Sequence, residues 1–297
     1  MTIQLVGGLG NQLFGYFAGK FVSQKLGVPL RLDMSQFDKG ITAHGSDLRD
    51  FKLDEKIVNL CQETRFPVLV WQNVLNLIAN KVPVTRNQVE RVLNIHTAQP
   101  IGVDPRLGAI KPGMLIRGYY QTFRYVWAVV QEPEFSGLHL RNPSTWFKDM
   151  KHEAAAAAPI MLHVRRGDYA KPANANFGML SAAYYERAVA QVRAKLGSTN
   201  PVWVFSDELQ AVREELAGHL SGVVRFVEPP SEVPAAESLM LMASGAANVI
   251  SNSTFSWWSA ILNPESIVVA PTKWFKAMED PEDLIPGNWL REESVWK

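Results

Sequence analysis

The chain has 297 residues, 47% of them hydrophobic and 20% charged, an ordinary globular balance that excludes a disordered or collagen-like polypeptide. Lys and Arg total 30 against 29 Asp and Glu, so there is no global electrostatic footprint of a nucleic-acid binder. Any anion it binds must be held by a local cluster of basic groups. Cys61 is the single cysteine, so no internal disulfide can form, and the residue reads as a small buried apolar side chain of a cytosolic protein.

In chain order, Thr2 to Val6 reads as a strand ending in Gly7-Gly8-Leu9-Gly10, followed by a helix from Asn11 to Leu26 and a second strand from Val28 to Leu32, ending at Asp33. The start, Met-Thr-Ile-Gln-Leu-Val, has no basic beginning and no long apolar run, so a signal peptide is not expected. The glycines with Asp33 partly match a dinucleotide fingerprint, but Leu13 stands at the third glycine position, and Asn11 and Gln12 read better as groups reaching a ligand. The stretch from Asp38 to Gln99 has weak strand signals and is expected to be mostly helical. Within it, Phe66 to Val84 is apolar but interrupted by Gln72, Asn73, Asn76 and Asn80 and bracketed by Pro67 and Pro83. A spanning helix needs roughly 20 predominantly apolar residues, so this segment reads as an amphipathic helix packed on a core. The alternative is a helix lying on a membrane surface.

Met114 to Arg117 is a short strand leading into Gly118-Tyr119-Tyr120-Gln121. Helices are expected at Thr122 to Phe135 and Ser144 to Ala157, and Pro159 then stops the chain and opens a strand. The expected domain boundary lies here, giving domains 1–157 and 158–297. The second half repeats one grammar, strand then polar cluster then helix. Ile160 to Val164 ends in Arg165-Arg166-Gly167-Asp168, Val202 to Phe205 ends in Ser206-Asp207, and Ala247 to Ile250 ends in Ser251-Asn252-Ser253-Thr254. Alternating strands and helices predict an α/β protein with parallel sheets, in which ligands bind beyond the carboxyl ends of the strands.

Each cluster has a chemical reading beside a structural one. Arg165 and Arg166 offer planar, permanently charged forks of donors that suit a diphosphate, and Asp168 can orient one of them; an Arg–Asp ion pair is the structural alternative. Ser251 to Thr254 precede a helix, where hydroxyls cap and free amides face an anion. Asp207 suits the adjacent N–H groups of guanine or serves as a helix cap. Trp257 and Trp258 read as helix packing, with the lining of a sugar or base pocket as the alternative for one of them. The six histidines show no metal-ligand spacing, no Asp-X-Asp occurs, and the Gly-Lys-Ser/Thr of a P-loop is absent, so no metal or cofactor is expected.

With these residues in view, the chain resembles the bacterial α-1,2-fucosyltransferases of glycosyltransferase family 11. The matching stretches are Gly7 to Phe14, Gly118 to Gln121, His163 to Tyr169, Leu180-Ser181 with Tyr184-Tyr185, Phe205-Ser206-Asp207, Leu239 to Ala243, Ser251 to Trp258 with Ala260, Ala270-Pro271 and Trp274-Phe275. The resemblance implies a GT-B fold, two Rossmann-like domains facing a cleft, with an acceptor-side N-terminal domain and a GDP-fucose-binding C-terminal one. It implies metal-independent, inverting transfer of L-fucose from GDP-β-L-fucose to the 2-hydroxyl of a terminal galactose. The expected acceptor is a β-galactoside or lipid-linked glycan, with free lactose, a lipid-linked O-antigen unit and a capsule fragment left open, and the expected location is the cytoplasm, either free or peripheral to the inner face of the membrane. Catalytic roles fall to Arg165 and Asp168, and donor binding to Gly10, Asn11, His163, Arg165, Arg166, Asp207, Ser251, Asn252, Ser253, Thr254 and Phe255. Asp33, Asp38, His44 and Asp168 are the candidate bases by type. A transferase for another sugar nucleotide, an NAD-linked oxidoreductase and a non-catalytic nucleotide- or glycan-binding module are the rival readings.

Overall fold

The computed structural model describes residues 1–35, 37, 48–58, 60, 90–91, 94–98 and 101–297. Cys61, Asp38, His44 and the expected helix from Phe66 to Val84 lie outside the described residues. Among the described residues no helix is long and apolar enough to cross a membrane. The chain divides into two compact units, Met1–His139 with Pro281–Leu284, and Leu140–Asp280 with Ile285–Lys297. The division therefore falls at His139/Leu140, ahead of the expected boundary at 157/158. The reason is visible in α3 (Thr145–Ala157), whose N-cap Ser144 gives its main-chain N–H to the buried Glu237 carboxylate at 2.8 Å, and whose Phe147 and Met150 join a core with Trp203 and Met242.

The first unit holds an all-parallel sheet of order β3-β2-β1-β5-β4, built from β1 (Thr2–Gln4), β2 (Arg31–Asp33), β3 (Lys56–Val58), β4 (Ile95–Thr97) and β5 (Leu115–Arg117). β3 and β4 lie within the stretch from Asp38 to Gln99 expected to be mostly helical, most of which is outside the described residues. Three-residue strands are too short to show a period of two, so only their sheet partners define them. Helix α1 (Leu9–Leu26) lies close on this sheet, where a Cβ at Gly19 would meet Ile3 and Leu30 side-chain carbons at 3.0 Å. Helix α2 (Phe123–Val130) packs its Tyr125, Val126 and Val129 inward, with Tyr125 against Phe21 of α1. Pro281–Leu284 joins this unit because the Asp283 carbonyl accepts from Phe123 N–H at 2.9 Å and Thr122 Oγ1 at 3.0 Å.

The second unit holds a six-stranded parallel sheet of order β11-β10-β9-β6-β7-β8, comprising β6 (Ile160–Val164), β7 (Val202–Ser206), β8 (Val224–Phe226), β9 (Ala247–Val249), β10 (Ile267–Pro271) and β11 (Leu290–Glu292). Every residue of β6 is buried, as a central parallel strand covered on both faces requires. Ile160, Leu162 and Val164 face a core made with Tyr184, Tyr185 and Val189 of α4 (Ala182–Leu196). Met161 points the other way, toward Trp203 and Phe205 and the helices α3 and α6 (Ala235–Met242). The remaining helices are α5 (Leu209–Glu215) and α7 (Thr254–Ile261), the latter anchored by fully buried Trp257 and Trp258, which settles both tryptophans as packing groups. Chain order runs β6, β7, β8 outward and then returns to β9 on the other side of β6. The strand order thus reverses between β6 and β9, the position where open parallel sheets bind ligands.

Candidate functional site

Because β9, β6 and β7 are neighbours, their carboxyl ends bring the three polar clusters of the second half together. His163 spans the reversal point, its Nδ1 2.9 Å from Ser251 Oγ. Its ring also lies 5.6 Å from that of Phe255. Burial, with the charges of Arg165 and Arg166, pushes the imidazole pKa down to about 3. A neutral ring is the consequence at any ordinary pH. It positions Ser251 and the start of α7 without adding charge.

The two arginines after β6 have separate fates. Arg166 is buried, its side chain 6% exposed against 17% for Arg165. Its Nε and Nη2 donate to the two Glu215 oxygens at 2.9 and 2.6 Å, Nη2 also donates to Leu180 O, and Nη1 to Arg165 O, both at 2.8 Å. All its guanidinium nitrogens are thereby committed to the protein. Arg165 instead sits between two carboxylates, Asp168 Oδ1 on Nη2 and Asp207 Oδ2 on Nη1, the latter at 3.0 Å, with Tyr169 under its charge at 5.5 Å. Asp168 and Asp207 are partly exposed, at 37% and 27%. A partly exposed arginine held by two carboxylates keeps its fork preformed and leaves it able to exchange one partner for an anionic oxygen.

Asp207 has a second bond, accepting the main-chain N–H of Arg166 at 2.9 Å. Both oxygens of its carboxylate thus serve the arginine loop, a holding role beside the donor-side one expected of it. Gly167 makes the contact feasible. Its φ is +25°, and a Cβ there would lie 2.3 Å from Asp207 Oδ2. On the β9 side, Ser253 caps α7 by accepting from Phe255 N–H at 3.3 Å. Asn252 is buried and donates to the Phe177 and Gly178 carbonyls at 2.9 and 3.1 Å, while Tyr169 OH donates to Asn252 O at 3.1 Å. Asn252 therefore fastens the loop after β6 to the loop after β9. Burial pushes the Tyr169 phenol up to about 12, the nearby Arg165 opposing and Asp168 and Asp207 adding to the rise.

Gly10 and Asn11 lie in the first turn of α1 in the first unit, where Asn11 Oδ1 accepts from Gln121 Nε2 at 2.9 Å. Gln12 does not reach outward as expected. It is fully buried, donating to Gly7 O at 3.1 Å and accepting from Leu48 N–H at 3.0 Å. Asp33 is fully buried as well, accepting from Gln4 Nε2, Ser35 N–H and Oγ, and Leu60 N–H within 3.2 Å. Those bonds consume its lone pairs, so it serves neither as the ribose-binding acid of a dinucleotide site nor as a base on an acceptor. Among the described residues, no group of three or more His, Cys, Asp or Glu converges as a metal site would require. The sequence reading missed Glu215, which looks like one half of a solvated acidic pair, Glu214-Glu215, on a short helix.

Residues 148–293 match glycosyl transferase family 11. Over nearly full length the chain is similar to two Escherichia coli proteins. One is an α-1,2-colitosyltransferase, 26% identical over 304 residues, covering 99% of each chain. The other is the O-antigen biosynthesis glycosyltransferase WbnK, 28% identical over 313 residues, covering 96% of this chain and 98% of that one. Among solved structures, the fucosyltransferase NodZ from Bradyrhizobium shares the fold with a TM-score of 0.50 at 14% identity, over 89% of this chain and 92% of that one. NodZ soaked with GDP-fucose superposes with the same TM-score of 0.50. Residues 148–293 thus match glycosyl transferase family 11, and the chain is a glycosyltransferase of the GT-B fold, built on two parallel-sheet α/β units.

Proposed function

We propose that the chain transfers L-fucose from GDP-β-L-fucose to the 2-hydroxyl of a terminal galactose, forming an α-1,2 linkage on a β-galactoside or lipid-linked glycan. The observation that carries this reading is Arg165. It is a preformed guanidinium fork at the carboxyl end of β6, beside the strand-order reversal and in the unit that also holds the capped start of α7. In an inverting displacement, the bond from the sugar C1 to the β-phosphate oxygen breaks as the acceptor 2-oxygen attacks the opposite face and passes its proton to water. Negative charge then grows on the departing GDP. Arg165, with the free amides at the start of α7, answers that charge, and Asp168 keeps Arg165 aimed. These groups supply the positive charge within the protein, so the reaction is proposed to need no metal. Ser251, Asn252, Ser253, Thr254, Phe255 and His163 shape the donor side. Gly10 and Asn11 are assigned to the donor by resemblance alone.

A second reading has colitose, which is fucose without its 3-hydroxyl, as the transferred sugar. The similarity to an E. coli α-1,2-colitosyltransferase over 99% of both chains favours it. GDP release measured with GDP-fucose, GDP-colitose and GDP-mannose against a panel of β-galactosides separates the readings, with linkage analysis of the product. Fucosyl transfer to O2 of galactose that persists in excess chelator is the expected result. Turnover with GDP-mannose alone, or abolished by chelator, overturns the proposal.

A further inference from the structure

We propose that Glu215 is a positioning residue for the donor arginine, acting on Arg165 through Arg166. This assignment rests on the reading of Arg165 as the phosphate ligand. Glu215 closes α5, 49 residues beyond Arg166 in sequence and outside the three strand-end clusters. Its carboxylate takes two N–H donors of Arg166, in the two-point geometry that fixes a guanidinium in direction as well as in place. Held so, Arg166 grips the Arg165 carbonyl with Nη1 and, through its own main-chain N–H, the Asp207 carboxylate whose other oxygen holds Arg165. Arg165 is therefore fixed at its side chain by Asp207 and Asp168 and at its backbone by Arg166, and Arg166 is fixed by Glu215. Lys297 Nζ, 3.0 Å from Glu215 Oε2, completes the group, so three cations face three carboxylates. Burial pushes the Glu215 carboxyl up, but the hydrogen bond and charge of Arg166 and those of Lys297 outweigh it and hold it below the usual range.

The reason this pair affects function as well as stability lies in what Arg166 does without it. A buried guanidinium does not stay unpaired. The carboxylate already bonded to its main chain is Asp207, and Asp207 is the one that aims Arg165. Loss of Glu215 therefore sets the two arginines in competition for one carboxylate and unfastens the phosphate ligand.

The test compares the full chain, Glu215→Gln, and the double variant Arg166→Met/Glu215→Leu. It measures GDP affinity by calorimetry, thermal midpoint, and turnover of GDP-fucose. Glu215→Gln is expected to weaken GDP binding by about 10- to 100-fold, the scale of a misplaced positioning group, and to lower the midpoint. Replacing both partners by apolar side chains leaves no buried charge, so the double variant should regain most of the midpoint but not the GDP affinity. A purely structural pair predicts that affinity returns together with the midpoint, and that result, or a folded Glu215→Gln chain with the parent's GDP affinity, overturns the assignment. Should Glu215→Gln not fold, the double variant decides alone. A parent chain that fails to bind GDP overturns the donor reading itself, and a parent that binds GDP beside variants that bind it equally well overturns only the role of Glu215.

Discussion

His163 Nδ1 and Ser251 Oγ are joined at 2.9 Å across the boundary between β6 and β9, though 88 residues separate them in sequence. The bond ties the two halves of the second sheet at the one place where strand order reverses. It places a neutral imidazole, rather than a charged one, beside the donor arginine. Below about pH 6.5 the unfolded ring takes up a proton that the folded ring, with its pKa near 3, refuses. Unfolding then binds a proton, so stability falls as the pH drops from about 6.5 toward 3 and is unaffected by this group above that window. Between neutral pH and pH 5 the loss from His163 is about 2 kcal/mol. Urea unfolding of the parent and of His163→Gln at both pH values checks this. The variant should lose stability less steeply with acid, and parallel pH dependences would refute it.

The two arginines should respond in opposite ways. Arg165→Lys keeps a charge but not the fork, and is expected to lower kcat/KM by about 10²–10³-fold with an unfolding midpoint near that of the parent. Arg166→Ala leaves the partly buried Glu215 carboxylate with Lys297 as its remaining cation and removes the donors to Leu180 O and Arg165 O, so it should lower the unfolding midpoint. Denaturation curves set beside steady-state kinetics distinguish the two. A stable Arg166→Ala chain, or an active Arg165→Lys enzyme, contradicts the division of labour drawn from their burial.

Gly167→Ala tests the contact between the arginine loop and Asp207. The new Cβ would stand 2.3 Å from Asp207 Oδ2 in a backbone with φ of +25°. Strain of this kind costs about 1–3 kcal/mol. Because Asp207 must move, the KM for the sugar nucleotide is expected to rise by about tenfold or more. A variant destabilised without any change in KM would show that Asp207 does not aim Arg165.

Ser253→Ala removes the side-chain cap of α7, whose acceptor bond is made by Phe255 N–H at 3.3 Å. The expected loss is about 1 kcal/mol of stability. A fall in GDP affinity should accompany it, since a frayed first turn no longer presents its amides to an anion. Calorimetric titration with GDP provides the check, and unaltered affinity removes α7 from the donor site.

Local pattern accounts for much of this. The apolar run Ile160 to Val164, opened by Pro159 and ended by two arginines, reads as a buried parallel strand with an anion site at its end, and the structure places it at the centre of the second sheet. The cap at Ser253 and the buried tryptophans of α7 are likewise written in consecutive residues. Strands β3 and β4, by contrast, are three residues each and are stabilised by ladder bonds to β2 and β5 rather than by any pattern of their own. The α3 helix was visible as a helix, but its membership of the second unit depends on Glu237, 93 residues from Ser144.

Residue type and spacing by themselves determined an α/β chain with three polar clusters at strand ends and two arginines in one of them. They did not determine which arginine is the more exposed. That was decided by strand order, which sets β7 and β9 on either side of β6, and by the return of α5, which delivers Glu215 to Arg166. Adjacent arginines have identical chemistry, and only desolvation tells them apart. The one held at two points by the Glu215 carboxylate becomes part of the scaffold, and the one held between two partly exposed carboxylates can exchange one of them for a phosphate oxygen.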